Sequence, residues 1–161
     1  VVLAALAIMG ALAPIDRRAI LVNTTPSEPL GLYVRKSGLP GPGQLVSFPA
    51  PAAAFPYADR RLAYLHRVPL LKAIIAGPGD RVCTLGDHLV VNGRTLGAII
   101  DLDREGRPLP HWRDCRALRA DELFAYSDRV PNSFDSRYFG PVPKASVIGV
   151  FQPLLIARET H

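Results

Sequence analysis

From Ala19 onward the apolar residues of this chain come in short runs, each cut off by Gly, Pro, Asn or Asp. Such punctuation leaves no room for long amphipathic helices and spells short β-strands joined by turns. Strands are expected over Leu30 to Val34, Gln44 to Phe48, Leu70 to Ala76, Arg81 to Thr84, His88 to Val91, Arg94 to Leu96, Glu122 to Ser127 and Ser146 to Phe151. Asn92-Gly93 is a hairpin signal, because both residues tolerate the positive φ of a type I′ turn. One or two helical turns are expected within Tyr57 to Val68. The charged, Pro-containing stretch Asp101 to Arg116 reads as an excursion from the sheet. With 161 residues, 13 of them Gly and 16 Pro, the chain has room for one mainly β domain, residues 19–161, and an appendage.

The appendage is Val1 to Ile15, which carries no charge and stops at Asp16-Arg17-Arg18. A helix needs about 20 apolar residues to cross a bilayer. Residues 1–18 therefore read as a truncated membrane anchor, with a signal-peptide core and a buried helix as alternatives. Arg17-Arg18 argues mildly for a cytoplasmic location of that flank.

Lys and Arg total 19 against 14 Asp and Glu, a net charge of +5 that suits nucleic acid and anionic membrane equally. The arginines are scattered, with no basic run longer than Arg17-Arg18 or Arg60-Arg61, so no nucleic-acid partner is expected. Cys83 and Cys115 are too far apart for a redox CxxC or a zinc knuckle, and neither a metal nor another cofactor is expected. In an oxidising compartment the two would form a disulfide; in the cytosol they would be small buried hydrophobes. His66, His88, His111 and His161 sit in neither a Gly-x-Ser-x-Gly elbow nor an HExxH helix, which leaves a histidine triad and a zinc protease without support.

Three polar positions stand out. Ser27 lies between Pro26 and Pro29 just before an expected strand, on a loop whose backbone the prolines stiffen; taken by itself it reads as a turn serine. Lys72 falls inside Leu70 to Ala76, where period-two alternation places it with Leu70, Ile74 and Ala76. Such a lysine either snorkels to solvent or is buried with a lowered pKa, and a neutral amine can take a proton from a serine hydroxyl. The third is Asp128 with the segment Pro131 to Pro143, whose hydrogen-bonding side chains among Phe, Tyr and Pro suggest an ordered polar network. Within it Asp135 and Arg137 are candidates for an ion pair.

In order along the chain these segments resemble the boxes of the type I signal peptidase family: a serine box, a lysine box ending in Gly77-Pro78-Gly79-Asp80, and a box reading NSFDSRYFG from Asn132 to Gly140. The nearest likeness is to the TraF-type peptidases of bacterial conjugal transfer, through NTTPSEPLGLY at the serine, VVNG in the hairpin and DREGRPLPHWRDC before the last box. The resemblance spans roughly Asn23 to Val150. It implies a signal-peptidase-like β-fold, Ser27 as acylating nucleophile and Lys72 as general base. It further implies Thr25 as a side-chain donor to the oxyanion, Ser133 as the serine that orients the lysine amine, and Asp128, Asp135 and Arg137 as support. The implied partners are an exported precursor protein, in particular a pilin precursor, and the bacterial inner membrane, with the catalytic domain in the periplasm.

Four positions depart from the family pattern. Glu28 replaces its Met, the proline after it comes one residue sooner, Ala73 replaces its basic residue and Ser127 replaces its glycine. Alternatives are general signal-peptide cleavage, a non-catalytic β-domain of a secretion apparatus, and a self-cleaving repressor of the LexA kind. The last requires a DNA-binding N-terminus where this chain is apolar.

Overall fold

The computed structural model describes residues 19–157, so the expected anchor over residues 1–18 lies outside the described residues. The turn-rich sequence folds into antiparallel strands Ile20–Asn23 (β1), Gly31–Lys36 (β2), Leu45–Phe48 (β3), Leu70–Ala76 (β4), Arg81–Leu85 (β5), His88–Val91 (β6), Arg94–Ala98 (β7), Cys115–Ala117 (β8), Glu122–Tyr126 (β9), Val142–Pro143 (β10) and Gly149–Ile156 (β11). Among the described residues, helical structure is confined to Tyr57–Arg61 (α1), Ser136–Phe139 (α2) and single 3-10 turns at Ala52–Ala54, Ala63–His66 and Lys144–Ser146. One sheet has the order β1-β2-β11-β3-β4-β9-β10 and the other β7-β6-β5-β8. The protein is mainly β, as the punctuation requires.

The expected strands are present, with one corrected. The run Ser146 to Phe151 splits, because Lys144–Ser146 closes a 3-10 turn and the strand starts at Gly149 and continues to Ile156. It passes Pro153 at a register shift against β2, and a bulge is one of the few places where a sheet accommodates a proline. Strands β1, β8 and β10 are too short, or too close to proline and charge, to show a period of two. Asn92 (φ 50°) and Gly93 (φ 81°) form the positive-φ turn between β6 and β7.

The larger sheet curls. Tyr33 on β2, Leu71 on β4 and Phe151 on β11 meet in one buried cluster with Leu21 and Leu45, although β2 and β4 are separated in the sheet by β11 and β3. This curl carries the β1–β2 connection, residues 24–30, toward β4. Gly31 closes that connection with φ of 151°, and a Cβ there would lie 2.1 Å from the Leu155 carbonyl oxygen. Only glycine lets β11 pass so close to the root of the loop.

A second core, built on Val46, Phe48, Ile74, Leu123 and Phe139, lies beneath the helical turns. A third, with Val82, Leu89, Phe124 and Tyr138, cements the two sheets together. In the smaller sheet Cys83 and Cys115 are direct cross-strand partners and are disulfide-bonded, closing a sequence separation of 32. Cross-linking a loop of that length removes about 3–4 kcal/mol of conformational freedom from the unfolded chain. Urea unfolding with and without a reductant should therefore show a loss of stability of that order on reduction; coincident curves would contradict it.

Candidate active site

Ser27 sits in the β1–β2 connection, and its local geometry is built by Asn23, the last residue of β1 and itself buried. The Asn23 amide nitrogen donates to the carbonyls of Thr25 (2.9 Å), Glu28 (2.9 Å) and Pro29 (3.0 Å). Its Oδ1 accepts from the Thr25 backbone N–H (3.2 Å) and from Thr25 Oγ1 (2.9 Å). One short side chain thus satisfies the turn from inside, an ability asparagine shares with few residues. The buried Tyr33 hydroxyl donates to Pro29 O (2.6 Å) and holds the far end of the loop.

Two further bonds tie the loop to the sheet. Glu28, buried, accepts from the Ala73 N–H on β4 (3.2 Å) through Oε1. The Ser127 hydroxyl, at the end of β9, donates to the backbone carbonyl of Ser27. Burial pushes the Glu28 carboxyl above its ordinary range, against the pull of the Ala73 N–H and the charges of Lys72 and Arg129, with Asp128 adding to the rise.

Lys72 does not snorkel. It is only 2% exposed and shares the inward face with Leu70 and Ile74, as alternation expects, up to a bulge between Ile74 and Ala76. Its Nζ donates to Ser133 Oγ at 2.8 Å. Desolvation lowers its pKa from 10.5 to about 8; Asp135 and Glu28 act in the opposite direction, and Arg137 reinforces the lowering.

Ser133 is held by Arg137, whose Nη2 donates to the Ser133 carbonyl (3.0 Å). Asp135 caps α2 by accepting from the Arg137 N–H (3.2 Å). The two side chains form a two-pronged ion pair, with Nε to Oδ1 and Nη2 to Oδ2 both at 2.9 Å, and Asp135 is fully buried. The guanidinium also reaches Ala98 O on β7 (2.6 Å) and stacks over Tyr126 and Tyr138. The expected ion pair is therefore present and spans both sheets.

Ser27, Thr25, Lys72 and Ser133 line one cleft of about 290 Å³, walled by apolar residues such as Leu65 and Phe134. Among the described residues no hydrogen bond joins Lys72 Nζ to Ser27 Oγ; the amine's bond runs to Ser133. Thr25 is exposed, and its hydroxyl proton points to Asn23 instead of into the cleft. Asp128 is exposed and outside the cleft lining, acting on Glu28 and Tyr126 only through its charge. Asn23 had no role assigned from sequence; its signal is an amide residue at the mouth of a Pro-bounded loop. Ser127 and Glu28 were visible only as departures from a pattern.

The whole-chain comparison decides the family. A model described as "Signal peptidase, peptidase S26" matches residues 1–155. The chain belongs to this family. It is 37% identical over 145 residues to the Plasmid transfer protein TraF of Escherichia coli, covering 83% of this chain and 81% of that protein. To the Conjugal transfer protein TraF of Agrobacterium fabrum (strain C58) it is 35% identical over 144 residues, covering 83% and 80%. Among solved structures it is similar to a signal peptidase I from Enterococcus faecalis V583, with TM-score 0.45 and 24% identity over 73% of this chain and 100% of that one.

In this family member the buried amine has a cost that can be measured. With a folded pKa of about 8 against an ordinary 10.5, Lys72 binds its proton less tightly when folded than when unfolded. The penalty, roughly 3 kcal/mol, is complete below pH 8 and is relieved as pH rises from about 8 to about 10.5. Lys72→Met should accordingly be more stable than the parent at pH 7 by about 2–3 kcal/mol, with the difference vanishing by about pH 10.5. Denaturant titrations at the two pH values check this, and an equal difference at both would mean that the amine is not desolvated.

Proposed function

We propose that the protein is a membrane-associated serine endopeptidase in which Ser27 and Lys72 form the catalytic dyad, and that it cuts exported precursors, a pilin precursor of conjugal transfer foremost. The observation that carries this reading is a lysine amine buried at 2% exposure in the same cleft as Ser27 and hydrogen-bonded to Ser133. A neutral amine has one lone pair and two N–H bonds. Donating one N–H to Ser133 Oγ leaves the lone pair free for the Ser27 proton.

In the proposed reaction Ser27 Oγ attacks the scissile carbonyl while Lys72 takes its proton, then returns it to the departing amine. The Ser27 N–H and the Thr25 hydroxyl serve the tetrahedral oxyanion, each such donor being worth about 2.7–4 kcal/mol. Thr25 must first turn its hydroxyl away from Asn23. Water, activated by the same lysine, releases the acyl group; an amine of the substrate in place of water would close a cyclic product.

The TraF relatives, named for plasmid and conjugal transfer, support the substrate class. The apolar stretch Val1 to Ile15 supports attachment to the inner membrane. A disulfide between Cys83 and Cys115 suits a domain facing the periplasm. Among the described residues no helix is long and apolar enough to cross a membrane.

Co-expression with a pilin precursor, followed by intact mass analysis, tests the reading. Ser27→Ala and Lys72→Ala should each abolish processing, a loss of about 10³-fold or more. Processing that survives either substitution would point to a non-catalytic role. A product lighter by one water than the hydrolysed chain identifies the amine acceptor. Because the base must be neutral, kcat/KM should fall about tenfold per pH unit below about 8.

A further inference from the structure

Ser127 is buried, follows β9 directly, and turns its N–H and its hydroxyl toward the active site. Its N–H donates to Asp135 Oδ2 (3.2 Å), and its hydroxyl donates to the Ser27 carbonyl. Asp135 pairs with Arg137, Arg137 holds the Ser133 carbonyl, and Ser133 Oγ receives the Lys72 amine. A continuous chain of bonds thus runs from the backbone of the nucleophile to the nitrogen of the base, and Ser127 is its link to the nucleophile.

Resting on the dyad reading above, we propose that Ser127 is a positioning residue for catalysis: its hydroxyl locks the Ser27 peptide to the Asp135–Arg137 unit that also orients Lys72. Fixing the carbonyl of Ser27 fixes its ψ, and with it the direction of the Cα–Cβ bond that carries Oγ. Glu28 and Asn23 restrain the same loop but neither reaches the Asp135–Arg137 unit. Ser127 stands where the family pattern has glycine, which has no side chain with which to make this bond. A misplacement of about 1 Å between reacting groups costs on the order of 10²-fold in rate, so one hydroxyl in this position has leverage.

The test compares wild type, Ser127→Ala and Ser127→Thr by the rate at which a fluorophosphonate probe modifies Ser27, read by intact mass with Ser27→Ala as the blank. Labelling of Ser127→Ala should be about tenfold slower or more, with the midpoint of its pH dependence unchanged because Lys72 keeps Ser133. Ser127→Thr, which keeps a hydroxyl, should recover most of the rate. Hydrogen exchange of the Thr25 amide, which Asn23 Oδ1 holds, should quicken in Ser127→Ala while the β4 amides bonded to neighbouring strands keep their protection.

Wild-type labelling rates in Ser127→Ala would overturn the inference. So would a shifted pH midpoint, which would mean that Ser127 acts on the base. If the wild type is not labelled at Ser27, precursor processing by the wild type and by Ser27→Ala decides the serine-nucleophile reading. The locking role is then decided by exchange alone: a loosened loop in Ser127→Ala upholds it, and unchanged protection overturns it.

Discussion

Desolvation of one amine is the constraint on which the rest of the site depends. Lys72 lies on the core-facing side of β4 with Leu70 and Ile74, where water cannot solvate a charge, and the proton becomes easier to lose. Two carboxylates nearby oppose this, Asp135 more strongly than Glu28. Both oxygens of Asp135 are engaged by Arg137, whose own charge offsets only part of that pull on Lys72. Glu28, whose own pKa burial raises, adds a smaller pull in the same direction. Desolvation outweighs both carboxylates, and the amine is left with a pKa of about 8.

The Asp135–Arg137 pair also solves a mechanical problem. The candidate nucleophile and base come from loops and strands far apart in sequence, and the sheet curl alone brings them only into the same cleft. A buried ion pair with backbone partners on β7, at the end of β9 and in the loop before α2 makes those elements one body. Such pairs contribute little net stability compared with an apolar replacement, and their value lies in the single geometry they permit. Here that geometry is the placement of Ser133, which in turn aims Lys72.

Much of this was legible in the sequence. The strands that carry Lys72 and the hairpin at Asn92-Gly93 follow from alternation and turn chemistry, and the Asp135–Arg137 pair from two opposite charges in an aromatic segment. Burial of Lys72 was one of two open outcomes, because periodicity names the face of a strand without saying what covers it. The cover is the 24–30 loop and the segment around Ser133, both set by long-range packing. Strands β1 and β8 escaped notice for a related reason: a strand of three or four residues carries almost no periodic signal, and its neighbours define it. Asn23 and Ser127 illustrate the limit most sharply, since a small polar residue gains its meaning only from the carbonyl it reaches.

Thr25 shows how such a site can be both rigid and reactive. In the resting geometry its hydroxyl proton goes to Asn23 Oδ1, strengthening a loop that must not sag. Asn23 Oδ1 also holds the Thr25 N–H, so surrendering the hydroxyl does not leave that oxygen without a partner. A developing oxyanion, in the proposed reaction, offers a charge-assisted bond roughly twice as strong as the neutral one it replaces. Exchange of partners is then downhill only once negative charge appears, which confines the extra stabilisation to the transition state, where it raises the rate instead of merely tightening substrate binding.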